Sequence, residues 1–106
     1  MRKVTQQSIS EFMSGNSFKS GNTKVESHAY LEAAPFNKYD VVTLSLHDNI
    51  IAYREKQTGK IHITNCGWFS NTTKERLNGL PNVSIQQSKG VWYLNGKAWD
   101  GKMITL

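Results

Sequence analysis

Hydrophobic residues at the start of the chain recur with helical spacing. Ile9, Phe12 and Met13 share one helical face. Thr5 suits the N-cap position, so that Val4 and Ile9 occupy the N′ and N4 positions of a hydrophobic staple. Gly15 is the expected stop. The pattern therefore predicts an N-terminal amphipathic helix.

The next part of the chain changes to a period of two. Asn16 to Asn22 is polar and is predicted to be a turn, and Thr23 to Leu31 then alternates apolar and polar residues as a half-buried strand does. Ala33 to Asp40 contains Pro35 and has no usable period, so it is predicted to be a loop.

Three further segments predict a meander. Val41 to Leu46 and Ile50 to Glu55 are rich in β-forming residues, and His47, Asp48 and Asn49 between them are typical of a turn. Lys56 to Lys60 makes the next turn, and Ile61 to Asn65 the third strand.

A second, short helix is predicted within Ser70 to Pro81. Thr72 and Glu75 have the spacing of a capping box, Gly79 suits the C′ position, and Pro81 prevents continuation.

The C-terminal part predicts two hairpins. A strand that begins near Val83 turns at Ser88 to Gly90 and returns through Val91 to Leu94. Asn95-Gly96 is a strong signal for a type I′ turn, and Lys97 to Trp99 forms the last predicted strand.

Together these elements predict an α+β fold in a single domain, residues 1–106. Its antiparallel sheet has about five or six strands, from the meander plus the C-terminal hairpins, beside an N-terminal helix and a second short helix. Two helices cannot cover both faces of such a sheet. One face is therefore expected to stay partly open or to meet another protein, and a homodimer through that face or an edge strand is left open.

Composition bears on the class of partner, on whether the chain folds and on its cellular compartment. The formal net charge of +5 favours anionic partners, and a hydrophobic fraction of 38% is too high for a disordered polymer. Cys66 is the single cysteine, so no intramolecular disulfide forms and a reducing cytoplasm is expected. No apolar run is long enough to span a bilayer, so neither export nor membrane association is predicted.

The most suggestive chemistry lies between Cys66 and Arg76. A strand ends, Gly67 gives the backbone freedom, and a helix begins with hydroxyls, unpaired amides and two cations, which is how a phosphate is commonly held. Trp68 or Phe69 is placed to stack on a base. The alternative is structural: the hydroxyls cap the helix, Trp68 fills the core and the cations are solvated. The predicted ligand-binding residues are Trp68, Ser70, Asn71, Thr72, Thr73, Lys74 and Arg76.

A second candidate surface lies around the final hairpins. Alternation places Trp92 and Tyr93 on opposite faces, so at least one ring should be less than fully buried. Exposed rings beside lysines suit base stacking or a protein contact, and core packing is the alternative. The members of this surface are Lys89, Trp92, Lys97 and Trp99.

No catalytic or metal motif is present. Cys66 lacks the surroundings of a protease or redox pair and is interpreted as a buried, inert thiol. His47 and His62 can approach each other near Asp48, but they lack the close spacing of a metal motif, and His28 is interpreted as a surface or satisfied polar group. The acids are scattered singly. We therefore predict no catalytic residue, metal or cofactor.

Six segments carry a resemblance to a known family: Val4-Thr5-Gln6-Gln7-Ser8, Gly21-Asn22-Thr23-Lys24-Val25, Leu46-His47-Asp48-Asn49-Ile50-Ile51-Ala52, Gly67-Trp68, Asn71 to Leu80 and Trp92 to Gly101. Over these segments, which cover most of its length, the chain resembles a family of small tailed-bacteriophage proteins, and Ser27 to Tyr39 looks like an insertion or a divergent piece. The resemblance implies the cytoplasm of an infected bacterial host and no particular activity.

These observations predict a non-enzymatic phage accessory protein. It binds and blocks a host or anti-phage defence protein, or sequesters a small anionic, nucleotide-like molecule, because occlusion needs surface complementarity and no catalytic groups. The alternative is a nucleic-acid-binding protein. In that case Lys74, Arg76, Lys89 and Lys97 contact phosphates, and Trp92 or Trp99 stacks on bases.

Overall fold

The computed structural model describes residues 3–31 and 38–106, and these form two helices and nine strands. The predicted α+β class, with an N-terminal helix and an antiparallel sheet, is confirmed. In chain order the elements are α1 (Lys3–Ser14), β1 (Phe18–Ser20), β2 (Thr23–Leu31), β3 (Lys38–Leu46), β4 (Asn49–Glu55), β5 (Ile61–Ile63), α2 (Asn71–Leu77), β6 (Ile85–Ser88), β7 (Val91–Leu94), β8 (Lys97–Ala98) and β9 (Ile104–Thr105).

The larger sheet has the order β1-β2-β3-β4-β5-β9, and every neighbouring pair is antiparallel. The predicted meander β3-β4-β5 lies at its centre. His47 and Asp48 connect β3 to β4 with φ of 51° and 64°, the left-handed pair of a type I′ turn. Such a turn matches the right-handed twist of the strands that it joins.

The C-terminal hairpins form a separate sheet, β6-β7-β8, instead of extending the meander. Its turns are Lys89-Gly90 and Asn95-Gly96, and all four of these residues have positive φ. The chain then returns to the larger sheet through β9, where Thr105 lies opposite His62. β9 was not predicted, because two residues are too few to show a period.

The core lies on one face of the larger sheet. Val25, Leu44, Ala52 and Ile63 pair in register across four strands, and all four are fully buried. A continuous cluster of buried side chains joins this row to both helices and to the smaller sheet, including Trp92. Neither described helix has the length and apolar character needed to cross a bilayer.

Two predictions for the first part of the chain need correction. α1 begins at Lys3, so Thr5 is not its N-cap but a buried residue inside the helix. The predicted polar turn from Asn16 to Asn22 contains β1, whose single apolar residue gives no period to detect. Gly15, with φ of 81°, ends α1 as predicted.

Several strand boundaries also differ from the prediction. β4 begins at Asn49, β6 runs from Ile85 to Ser88, and β8 ends at Ala98. β3 already begins at Lys38, inside the segment predicted to be a loop, and residues 33–37 of that loop lie outside the described residues. β5 ends at Ile63, not Asn65, because the backbone leaves the sheet and the Asn65 N–H donates to the carbonyl of Gly101.

The second helix is shorter than predicted and begins earlier than its expected cap. Ser70 is the N-cap, and its hydroxyl accepts a hydrogen bond from the Thr73 N–H, so the capping role predicted for Thr72 is wrong. Gly79 does not adopt the left-handed conformation of a C′ glycine. A Cβ at Gly79 would lie 2.8 Å from a side-chain carbon of Ile9. This glycine is therefore required by the close approach of α1 to the end of α2.

We expect Gly79→Ala to destabilise the protein by about 1–3 kcal/mol, because the added methyl group overlaps the α1 side chains that pack there. Urea unfolding followed by circular dichroism measures this change. The control is Gln7→Ala on the exposed face of α1, which should change stability by less than about 0.5 kcal/mol. Equal stability of the two variants would contradict this account of the helix contact.

Candidate functional site

A cleft of about 520 Å³ opens between the β3-β4 turn and the beginning of α2. Leu46 and Ile51 are only 4% and 1% exposed and form its apolar floor. Several of the predicted ligand-binding residues lie here, although the hairpin residues on the opposite wall were not predicted. The lining residues are Leu46, His47, Asn49, Ile51, Trp68, Ser70, Thr72 and Thr73.

Trp68 forms one wall of the cleft and is 60% exposed, so the alternative that it fills the core is wrong. Its neighbour Phe69 is 54% exposed and packs edge-on against Trp92 with ring centroids 5.1 Å apart. Two adjacent large aromatic side chains are therefore presented to solvent beside an apolar cleft.

The backbone that carries Trp68 is held by two buried polar residues. The side-chain oxygen of Asn65 accepts from the Gly67 N–H at 2.8 Å, and the Asn65 carbonyl accepts from the Trp68 N–H at 2.9 Å. The Thr64 hydroxyl accepts from the Cys66 N–H at 3.1 Å. Thr64 and Asn65 are themselves buried, so the groups that hold the backbone before Trp68 are anchored in the core.

The hydroxyls at the beginning of α2 differ in what they can offer a ligand. Ser70 and Thr73 hydrogen bond to each other at 2.9 Å, and Ser70 also accepts from the Thr73 N–H. The Thr72 hydroxyl lines the cleft and has no partner among the described residues. Asn71 is exposed and lies outside the cleft lining.

Arg76 is not the surface cation that the sequence analysis predicted. Its side chain is 3% exposed and points into the interior, where Nε donates to the Thr23 hydroxyl at 3.1 Å. Nη1 donates to the Thr5 hydroxyl and pairs with the Glu75 carboxylate. The guanidinium therefore joins α1, α2 and β2, and it is not available to bind phosphate.

Lys74 also turns away from the cleft. Its ammonium group donates to the side-chain oxygen of Gln87 at 2.9 Å and lies 5.8 Å from the centroid of the Trp92 ring. This lysine therefore contacts the smaller sheet. With Arg76 buried and Lys74 engaged there, the predicted pair of phosphate-binding cations does not form.

In the second candidate surface, neither predicted tryptophan ring is exposed. Trp92 and Trp99 are 1% and 9% exposed, so the alternative of core packing is confirmed for these two rings, whereas Tyr93 on the opposite face of its strand is only partly buried, as the alternation predicts. The two tryptophans fill the space between the two sheets, and the Trp99 ring N–H donates to the carbonyl of Lys102. Lys89 and Lys97 are exposed but have no exposed tryptophan of this set beside them.

Cys66 occupies a strained, exposed turn position with φ of 53°, so the expectation of a buried side chain was wrong. Its thiol donates to the carbonyl of Ile50 at 2.8 Å. Partial burial raises the pKa of the Cys66 thiol above its usual value, which lowers the thiolate fraction at neutral pH. The thiol is therefore poorly activated as a nucleophile.

His62 belongs to a polar cluster in the larger sheet that sequence reasoning missed. Its Nε2 lies 2.6 Å from a Glu55 carboxylate oxygen, and its Nδ1 lies 2.7 Å from the Thr105 hydroxyl. Tyr53 stacks on the imidazole at 4.3 Å. Burial, followed by the charge of Glu55, raises the pKa of the Tyr53 hydroxyl. The only sequence signal was that Glu55 and His62 flank one tight turn.

This cluster fastens β9 to the sheet and contributes nothing to the cleft lining. His47 does not approach His62 but pairs with the side chain of Asn22 at 3.2 Å, and His28 pairs with the Thr43 hydroxyl. Within residues 3–31 and 38–106, no three His, Cys, Asp or Glu side chains are close enough together to hold a metal ion.

We expect Arg76→Gln to destabilise the fold by about 3 kcal/mol, because it removes a buried cation that three elements share. Lys74→Gln is the matched control on the same helix and should cost less than about 1 kcal/mol. Thermal unfolding of both variants measures the difference. A surface role for Arg76 would instead leave the two melting temperatures equal.

We expect iodoacetamide to alkylate Cys66 several-fold more slowly in the folded protein than in the urea-unfolded chain at about pH 8. The physical reason is the raised pKa, since alkylation requires the thiolate. The rate in the folded protein should rise with pH over a higher range than in the unfolded chain. Faster reaction in the folded state would show that the fold activates this thiol.

Comparison with known proteins agrees with the resemblance seen in the sequence. A family model described as Kyanoviridae Gp96 protein matches residues 1–105. Searches of curated proteins and of solved structures gave no match. Because the matched segment spans nearly the whole chain, the protein belongs to the Kyanoviridae Gp96 family of bacteriophage proteins.

Proposed function

We propose that this phage protein acts by stoichiometric binding and not by catalysis. It holds a host or anti-phage defence component, or a small nucleotide-like molecule, at the cleft beside Trp68 in the cytoplasm of the infected bacterium, and so blocks it. The observation that carries this proposal is an indole that is 60% exposed on a backbone held by hydrogen bonds to the buried side chains of Thr64 and Asn65.

Both the area that a ligand could bury here and the low entropy cost of binding favour this surface as the binding site. Exposed tryptophans beside apolar pockets are frequent hot spots in interfaces, because one ring buries a large area at little conformational cost. A fixed loop also loses little entropy when a ligand binds. The cleft volume of about 520 Å³ lies within the range of ordinary ligand sites.

The geometry favours a ligand that binds in the cleft over one whose phosphate is bound by Lys74 and Arg76. Arg76 is paired in the interior and Lys74 contacts Gln87, so neither predicted cation faces the cleft. α2 has seven residues, and its Ser70 cap already uses the Thr73 amide. The positive net charge then contributes general attraction toward anionic partners and not a specific contact.

The nucleic-acid alternative based on the second surface has weaker support. Lys89 and Lys97 are exposed, but Trp92 and Trp99 are inside the core and cannot stack on bases. What supports that surface is charge alone, and binding through it would fall steeply with added salt.

We expect Trp68→Ala to weaken binding of the natural partner at least about tenfold while the melting temperature changes little, because the ring is mostly outside the core. The partner is first co-purified with the wild-type protein from infected bacterial lysate and identified by mass, and its affinity is then measured with pure components. Tyr39→Ala is the control, since Tyr39 is 74% exposed and lies outside the cleft lining.

Inhibition of the purified partner should reach completion at a fixed molar ratio of the two proteins. The proposal would be contradicted if catalytic amounts of this protein converted the partner to a product. It would also be contradicted if the Trp68→Ala variant and the wild-type protein bound the partner equally well.

A further inference from the structure

We infer that the cleft beside Trp68 takes a neutral, planar heteroaromatic ring, which is the chemistry of a nucleobase. The base comes either from a free nucleoside or nucleotide, or from a single-stranded nucleic acid. This inference rests on the proposed binding function and specifies the occupant of the same site.

The apolar character of the cleft suits an aromatic ring. Leu46 and Ile51 form a buried apolar floor, and the indole of Trp68 forms an exposed wall. Every nucleobase has a π-face that stacks on such an indole, and stacking of this kind is a large part of the affinity in single-strand binding.

The polar groups in the lining retain unused hydrogen-bonding capacity. The Thr72 hydroxyl has no partner within the described residues. The Asn49 amide nitrogen donates to the His47 carbonyl at 3.1 Å, which leaves the Asn49 side-chain oxygen available as an acceptor. His47 uses Nε2 on the Asn22 side chain, which leaves Nδ1 available.

This combination distinguishes a base from an aliphatic side chain of a protein partner. The edges of nucleobases carry neighbouring donors and acceptors that match a hydroxyl, an amide oxygen and a ring nitrogen. An aliphatic occupant would cover Thr72 and Asn49 without replacing their hydrogen bonds to water, and unpaired buried polar groups are costly.

The charges around the cleft indicate which part of a nucleotide is recognised. Within residues 3–31 and 38–106, the side chains that line the cleft include no described Lys, Arg, Asp or Glu, since Lys74 contacts Gln87 and Arg76 lies in the interior. The phosphate of a bound nucleotide therefore stays in solvent. Nucleosides should bind about as well as their monophosphates, and added salt should change the affinity by less than about twofold.

The test titrates the full-length protein with adenosine, guanosine, cytidine and uridine, with the four 5′-monophosphates, and with short single-stranded oligonucleotides. Quenching of tryptophan fluorescence reports binding, because Trp68 is exposed whereas Trp92 and Trp99 are buried. We expect saturable quenching by at least one nucleoside. Calorimetry then measures affinity in the variants, since Trp68→Ala removes the fluorescent reporter.

Two variants separate the contribution of ring stacking from that of hydrogen bonding. Trp68→Ala should weaken base binding about 5- to 100-fold through lost stacking. Thr72→Val keeps the shape of the side chain, removes the hydroxyl and should weaken binding about 3- to 10-fold. Tyr39→Ala, at an exposed ring outside the lining, should leave the affinity unchanged. Melting temperatures of all variants confirm that they are folded.

Each outcome decides the question. Binding of free nucleosides supports the inference, with a free nucleoside or nucleotide as the source when oligonucleotides bind no tighter, and with a single strand as the source when oligonucleotides bind much tighter and still depend on Trp68. Binding of oligonucleotides alone would show that the nucleic-acid backbone is held instead of the base, and would contradict the inference. If no base binds, or if base binding is independent of Trp68 and Thr72, the nucleobase assignment is wrong. The proposed function fails separately, when partner binding itself is insensitive to Trp68→Ala.

Discussion

The interior guanidinium of Arg76 is the interaction on which the arrangement of this small protein depends. It hydrogen bonds to Thr5 in α1 and Thr23 in β2, and it pairs with Glu75 in its own helix. A short helix such as α2 has little stability of its own, so these tertiary contacts determine where it lies. Because α2 supplies part of the cleft lining, the position of Thr72 follows from an interior charge that is itself outside that lining.

A strongly basic composition therefore gives a misleading picture of the surface here. Arg76, one of the cations counted in the net charge, is buried in the interior, where it hydrogen bonds to Thr23. Lys74, another of them, lies over the ring of Trp92. The cleft is lined by apolar side chains and a few uncharged polar groups, so the net charge of the chain says little about the chemistry of this part of the surface.

Local signals in the sequence were sufficient for the hairpins. Asn95-Gly96 and the residues around Asp48 carry their own conformational preference, so the turns at both places were predictable without tertiary context. The burial of Arg76 and the role of Gly79 were not predictable, because each depends on α1 packing against residues far along the chain. The same holds for the cleft, whose floor at Leu46 and Ile51 meets Trp68 only after the sheet has formed.

Asn65 joins the cleft to the C-terminal part of the chain. Gly101 packs so closely on this side chain that a Cβ at Gly101 would lie 2.1 Å from the Asn65 oxygen. The same oxygen accepts from Gly67 and fixes the approach to Trp68. A side chain at Gly101 would therefore displace Asn65 and with it the hydrogen bond to Gly67, so the conformation of the backbone before Trp68 depends on a glycine more than thirty residues further along the chain.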